Sequence, residues 1–248
     1  ALIIDLEDGC PADKKILARE ELINLLKENA FTKPVFIRVN DAMDAIGRED
    51  IDAISPYQDQ IEAIILPKTQ SFDFLATLAP MIDFSNKLVP LIETPRAIDT
   101  VTQIAAFKDV VGLFFGAADS SASLGCKLAW EPLLYARQKV VLAAAMYNLF
   151  TIDAPFFYID DKEGLKKEAE AVKNLGFTGK AAIHPDQIDF INESFAPTSE
   201  EIAEGKKVLE EYQKSGGGAV KIDGQMVDEP IAEAMRLKIS LGEEENED

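Results

Sequence analysis

The stretch "LVPLIETPRA", Leu88–Ala97, decides the fold. Four of its first five residues suit a buried strand, and then Glu93, Thr94, Pro95 and Arg96 arrive together. A loop has no need of Glu93, and an apolar core would have to desolvate it. The same grammar recurs along the chain in "ALIIDLEDG" (1–9), "KPVFIRVND" (33–41), "IEAIILPKT" (61–69), "VVGLFFGAADS" (110–120), "FTIDAPFFYID" (150–160) and "GKAAIHPDQ" (179–187). Each is a short apolar run that ends in polar or charged residues. Between most of them lie helical patterns such as "PADKKILAREELINLLKEN" (11–29) and "DKEGLKKEAEAVKNLGF" (161–177), the latter closed by a glycine cap at Gly176. Near-continuous apolar strands alternating with amphipathic helices indicate a parallel sheet covered by helices.

An open doubly wound sheet and a (β/α)8 TIM barrel both satisfy that pattern. A barrel gathers polar residues at the C-terminal end of every strand, because all its βα loops share one face. Here the polar endings fall on essentially every strand: Glu7 and Asp8, Arg38 and Asn40, Lys68, Glu93 and Arg96, Asp119, Asp153, His184. A doubly wound fold would concentrate them near one switch point and would usually carry a glycine fingerprint, which is missing. The expected class is therefore α/β, a TIM barrel. Only seven strands can be counted, and the chain opens directly on "ALII", so one βα unit upstream of Ala1 is expected to be missing. The expected catalytic domain is 1–195. A C-terminal helix–hairpin–helix arm or lid would occupy 196–242, with Ser199 capping its first helix and a tight Asp223–Gly224 bend in its hairpin, followed by an acidic tail at 243–248.

The chain has 248 residues, 47% of them apolar, enough for a sizeable core. Its 25 basic and 44 acidic residues give a formal charge of −19, a field that repels phosphate backbones and anionic lipid. Nucleic acid and membrane surfaces are thus poor partners, and no apolar run is long enough to span a bilayer. Cys10 and Cys126 lack metal-site spacing and fit a reducing compartment. One histidine, His184, excludes a His-rich metal site.

Glu93 and Asp119 end neighbouring strands, and two such carboxylates can share a hard cation such as Mg²⁺, or can be unrelated surface acids. Arg38 suits bidentate capture of a carboxylate, or an internal salt bridge to Glu7 or Asp8. Gly116 and Ala117 would let backbone N–H groups approach an anionic ligand, or form a tight turn. His184 is either a satisfied structural residue or a base. Lys68 could hold an anion or reach to solvent, and Cys10 could line the mouth.

Taken together, "LIIDLEDGCPADKKILARE", "FIRVN", "ILPK", "LIETPRA", "FFGAADSSASLG", "GKAAIHPDQIDFIN" and "GGGAVKIDGQMVDEP" resemble the citrate lyase β-subunit-like family of the HpcH/HpaI aldolase superfamily. The resemblance implies a Mg²⁺-dependent carbon–carbon lyase acting on a 3-hydroxyacyl thioester, such as malyl-, citramalyl- or citryl-CoA or an acyl-carrier-protein form. The products would be an acyl thioester and an oxo acid. It also implies Glu93 and Asp119 as metal ligands and Arg38 as the clamp on the oxo-acid carboxylate. Gly116, Ala117 and Ala118 would line the substrate site, with Glu7 and Asp8 supporting metal-bound waters and Arg38. Asp228 of "MVDEP" would reach into a neighbouring subunit's site, within a homotrimer or hexamer. The expected location is the cytoplasm, or the mitochondrial matrix in a eukaryote. Many members read "GAED" where this chain has Ala118, which reduces the charge around the metal site and bears on substrate identity. The alternatives are a CoA-free aldolase of hydroxy-oxo acids, against which the "MVDEP" arm argues, and a non-catalytic subunit.

Overall fold

The computed structural model describes residues 1–82, 84, 87–216, 218–222 and 224–244. It divides into two compact units, Ala1–Tyr158 with Ala171–Ile183, and Ile159–Glu170 with His184–Asp248. All seven expected strands form, as β1 (Leu2–Asp5), β2 (Val35–Arg38), β3 (Ala63–Leu66), β4 (Leu88–Ile92), β5 (Gly112–Phe115), β6 (Phe150–Asp153) and β7 (Gly179–Lys180). They build one parallel sheet in simple sequence order, β1 through β7. Among the described residues β1 pairs only with β2, and β7 only with β6.

Between the strands run α1 (Lys15–Lys27), α2 (Ala45–Ile54), α3 (Phe72–Leu78), α4 (Pro95–Ala105), α5 (Ala117–Leu124), α6 (Trp130–Met146) and α7 (Lys162–Leu175). The sheet is curled. Phe36 on β2 and Phe150 on β6 place their rings 5.9 Å apart, edge to face. In a flat sheet strands four apart would be separated by about 19 Å. The same curl gathers Phe36, Ala63, Ile65, Val89, Leu91 and Phe114, from the four strands β2 to β5, and Ala181, just past β7, into one buried cluster.

The opening stretch is now explained. All five residues of β4 are buried, and Thr94 caps α4 by accepting a hydrogen bond from the Ala97 N–H at 3.1 Å. Pro95 takes the first helical position, where a missing N–H costs nothing. Glu93 is thereby held between the strand end and the cap, at the C-terminal rim of the sheet. At the end of α7, Gly176 adopts φ +102° and donates to the Lys173 carbonyl, as its sequence position suggests.

The second unit holds α8 (Ile188–Phe195), α9 (Ser199–Lys214), the antiparallel strands β8 (Val220–Ile222) and β9 (Gln225–Val227), and α10 (Glu229–Glu244). Val208, Tyr212, Ile222, Val227 and Ala232 form its apolar core. The cap of α9 is Thr198 rather than Ser199. Its side chain accepts from the Glu201 N–H while the Glu201 carboxylate accepts from the Thr198 N–H, so both donors at the helix start are satisfied. Gly224 has φ +91°, suiting the expected bend, while Asp223 lies outside the described residues. So do residues 245–248 of the acidic tail.

Candidate functional site

A cavity of about 390 Å³ opens in the first unit at the C-terminal ends of the strands. Asp5, Asp8, Arg38, Glu93 and Asp119 supply its charged lining, with Gly116, Ala117 and Ala118 between them. Leu91, Phe114, Pro155, Phe157 and Ile183 supply apolar walls. Glu7 stands outside the lining, 6% exposed, and approaches Arg38 and Lys68.

Glu93 is the deepest of these carboxylates, 1% exposed. Its Oε1 accepts a hydrogen bond from the Lys68 backbone N–H at 2.7 Å, and the Lys68 Nζ lies 3.4 Å from the same oxygen. That ammonium also donates to Asp119 Oδ1 at 2.8 Å and lies 3.8 Å from Glu7 Oε1. Burial pushes the Glu93 carboxyl up to about 7; the Lys68 N–H and ammonium oppose this, while Asp119 and Glu7 add to it. Burial raises Glu7 as well, against the pull of Arg38 and Lys68. For Lys68, burial works against the charged form, but Asp119, Glu93 and Glu7 outweigh it and hold the ammonium above its ordinary range.

Gly116 is required by this packing. A Cβ there would stand 2.6 Å from the Glu93 Cβ, closer than any real contact. Glycine at this position therefore admits Glu93 in its observed place. Asp119 follows in the first turn of α5, 40% exposed at its side chain, facing Glu93 from the next strand.

Arg38 is held by Asp5, a residue the sequence reading did not single out. Its Nε donates to Asp5 Oδ1 at 2.7 Å and its Nη2 to Asp5 Oδ2 at 2.5 Å, a two-pronged pair. The salt-bridge partner is thus Asp5 more than Glu7 or Asp8. Glu7 Oε2 lies 3.1 Å from Arg38 Nη1, and among the described residues it has no hydrogen-bond partner. Burial pushes the Asp5 carboxyl up, but its hydrogen bond and charge pairing with Arg38 and the N–H groups of Glu7 and Gly9 hold it below the usual range.

The other candidate residues are placed as follows. The Lys68 ammonium is bound by the protein's own carboxylates rather than left to a free anion or to solvent alone. Cys10 is not part of the cavity lining, and its Sγ lies 3.7 Å from the Pro11 carbonyl oxygen. His184 is also outside the lining; its Nδ1 accepts from the Asp186 N–H at 3.2 Å, so it caps a short helical turn. Arg96 lies exposed on α4, away from the lining. Asp228 sits in the second unit just before α10, where its side chain accepts a long 3.4 Å hydrogen bond from the Ile231 N–H.

The wall formed by β6 and β7 is pinned by a buried ionic network. Asp153, fully buried, takes Arg137 Nε at 2.7 Å and Lys180 Nζ at 2.9 Å. Lys180 also donates to the Ala154 carbonyl at 2.7 Å. The Arg137 guanidinium lies 5.1 Å from the Phe115 ring centre and 4.9 Å from that of Trp130.

Among the described residues no three His, Cys, Asp or Glu side chains stand together at metal-holding spacing. The donors on offer are two hard carboxylates, Glu93 and Asp119. Mg²⁺ accepts such a set, since it keeps several waters and needs only one or two carboxylates beside its substrate oxygens. The fit is supported by charge: five carboxylates, Asp5, Glu7, Asp8, Glu93 and Asp119, cluster around two cations among the described residues, Arg38 and Lys68, and the Lys68 cation already lies among three of the carboxylates.

The fold is thus an α/β protein whose curled parallel sheet carries an anionic cluster and a guanidinium at its C-terminal rim. The chain belongs to the HpcH/HpaI aldolase/citrate lyase family, whose model matches residues 1–185. It is 29% identical to the mitochondrial citramalyl-CoA lyase of Homo sapiens, over 96% of this chain and 77% of that protein. The crystal structure of RipC from Yersinia pestis is 40% identical, with a TM-score of 0.72, covering 81% of this chain and 90% of that one. CitE from Mycobacterium tuberculosis, solved in complex with magnesium, acetoacetate and coenzyme A, is 29% identical with a TM-score of 0.82, covering 97% of this chain and 89% of that one.

Proposed function

We propose that this protein is a Mg²⁺-dependent carbon–carbon lyase that splits a 3-hydroxyacyl thioester, of the malyl-, citramalyl- or citryl-CoA type or carried on an acyl carrier protein, into an acyl thioester and an oxo acid. The observation that carries the reading is the convergence of Glu93 and Asp119 on one cation beside Arg38 in the cavity. The family, the magnesium and coenzyme A in the CitE complex, and the citramalyl-CoA lyase relative support it.

Glu93 and Asp119 would hold the metal, which when bound lowers the pKa of the substrate hydroxyl and stabilises the developing carbonyl. Arg38, whose Nε and Nη2 are held by Asp5, would grip the oxo-acid carboxylate with its remaining Nη N–H groups. The Gly116 N–H donates to the Ile92 carbonyl at 3.0 Å, whereas the first N–H groups of α5, at Ala117 and Ala118, have no partner within the helix and can face an anionic oxygen. Glu7 and Asp8 would steady Arg38 and the waters around the site. As the carbon–carbon bond breaks, the hydroxyl gives its proton to solvent water, its oxygen becomes the oxo-acid carbonyl, and the bonding pair stays on the carbon α to the thioester carbonyl as an enolate. That enolate must be protonated. Asp228 from a neighbouring subunit is the proposed acid, which assigns the segment 196–242 the role of an exchanged arm in a homotrimer or hexamer. The edges of β1 and β7 support one further βα unit between them, completing a barrel whose catalytic domain would extend through 1–195. A cytoplasmic or mitochondrial-matrix location is part of the same reading.

Glu93→Gln tests the assignment. The variant keeps size and loses the charge, and it should fold, fail to bind Mg²⁺ and lose turnover. Full turnover by the Gln variant would remove the metal role from Glu93.

A further inference from the structure

The proposed chemistry makes no use of Lys68, yet both of its ends address the carboxylates that would hold Mg²⁺. Lys68 follows β3 with φ +56°, a left-handed conformation that side chains other than glycine adopt at a cost. Such an outlier persists only where its surroundings hold it, and it clusters at sites of function. Here the turn sends the backbone N–H to Glu93 Oε1 at 2.7 Å and the ammonium to Asp119 Oδ1 at 2.8 Å. The ammonium also lies 3.4 Å from Glu93 Oε1 and 3.8 Å from Glu7 Oε1. Arg38 cannot take over this duty, because its fork is engaged by Asp5.

An ammonium on those oxygens and a dication bound to the same oxygens repel one another at close range. Mg²⁺ also requires its ligand oxygens in a tight octahedron, with their lone pairs free. The Lys68 side chain is 33% exposed, on a flexible four-carbon stem, so it has room to leave.

We infer that Lys68 is a resident counter-cation, which holds Glu93 and Asp119 together in the metal-free protein and gives up its place when the dication binds. The inference rests on the metal reading of this site. Its backbone N–H stays on Glu93 in both states, so the carboxylate remains aimed while the ammonium swings away.

The test compares the full chain with Lys68→Met, which keeps the stem and removes the charge, by Mg²⁺ calorimetry and by melting in EDTA and in Mg²⁺. In EDTA the variant should melt below the wild type, because three carboxylates have lost their cation. With saturating Mg²⁺ the two should melt together, and the variant should bind Mg²⁺ about tenfold tighter or more, having no ammonium to displace. Equal or weaker Mg²⁺ binding by the variant, with normal binding by the wild type, would overturn the inference and leave the metal site standing. Failure of the wild type itself to bind Mg²⁺ would overturn both. If Lys68→Met is too unstable to titrate, Lys68→Gln carries the same comparison with a neutral hydrogen-bonding side chain.

Discussion

Truncating Asp153 to alanine would remove the buried carboxylate that pairs with two buried cations, Arg137 and Lys180. Arg137 is 2% exposed and Lys180 8% exposed, and both pair with this carboxylate. Neither can turn to water without opening the wall between β6 and β7. Removing one partner of a buried ion pair costs about 3–5 kcal/mol, chiefly the penalty for the charge left behind. In a domain of this size each kcal/mol shifts the melting temperature by about 2–4 °C, so Asp153→Ala should melt about 6–20 °C below the wild type. Asp153→Asn keeps the shape and can still accept hydrogen bonds, so it should fall between the two. The assay is thermal unfolding followed by circular dichroism, with all three proteins at one concentration and ionic strength. Added salt should recover little of the loss, since screening acts weakly on buried charges. An Asp153→Ala protein melting within about 2 °C of the wild type would refute the argument, because a deficit that small corresponds to no more than a solvated surface pair.

Further outcomes follow from the same geometry. Arg38→Lys removes the fork that pairs with Asp5 and with a substrate carboxylate, so kcat/KM should fall about 10- to 100-fold while Mg²⁺ affinity, read by calorimetry, changes little. Gly116→Ala drives a methyl to within 2.6 Å of the Glu93 Cβ, and should cost about 1–3 kcal/mol of stability and weaken Mg²⁺ binding; an unchanged calorimetric affinity would mean that Glu93 does not hold the metal. Thr198→Ala removes the α9 cap and should cost about 1 kcal/mol, seen as faster hydrogen exchange at the start of that helix, whereas Ser199→Ala should be nearly silent.

Much of this architecture is legible in the sequence because each strand is a short apolar run closed by polar residues, and a parallel sheet buries such runs on both faces. The nearness of Glu93 and Asp119 follows in part from the same rule, since β4 and β5 end side by side and Asp119 lies in the first helical turn just beyond β5. Asp5 is harder to see: in "LIID" it reads as the last residue of a strand, and only the β1–β2 register, which sets Asp5 opposite Arg38, reveals the pair. Lys68 is hidden because nothing in "LPKT" announces a left-handed turn, and that turn aims its two ends at Glu93 and Asp119. Arg137 lies mid-helix in α6, so its bond to Asp153 depends on how that helix packs against β5 and β6. Ser199 and Thr198 are both competent caps by composition, and the reciprocal bond from Glu201 selects Thr198.

The central claim is best tested by turnover of malyl-, citramalyl- and citryl-CoA, each with Mg²⁺ and with EDTA, following the oxo acid and the acyl-CoA product together. The account predicts that both products form in equal amounts with Mg²⁺ and that neither forms in EDTA. Folded protein that releases neither product from any of the three, or releases both equally well in EDTA, would contradict it.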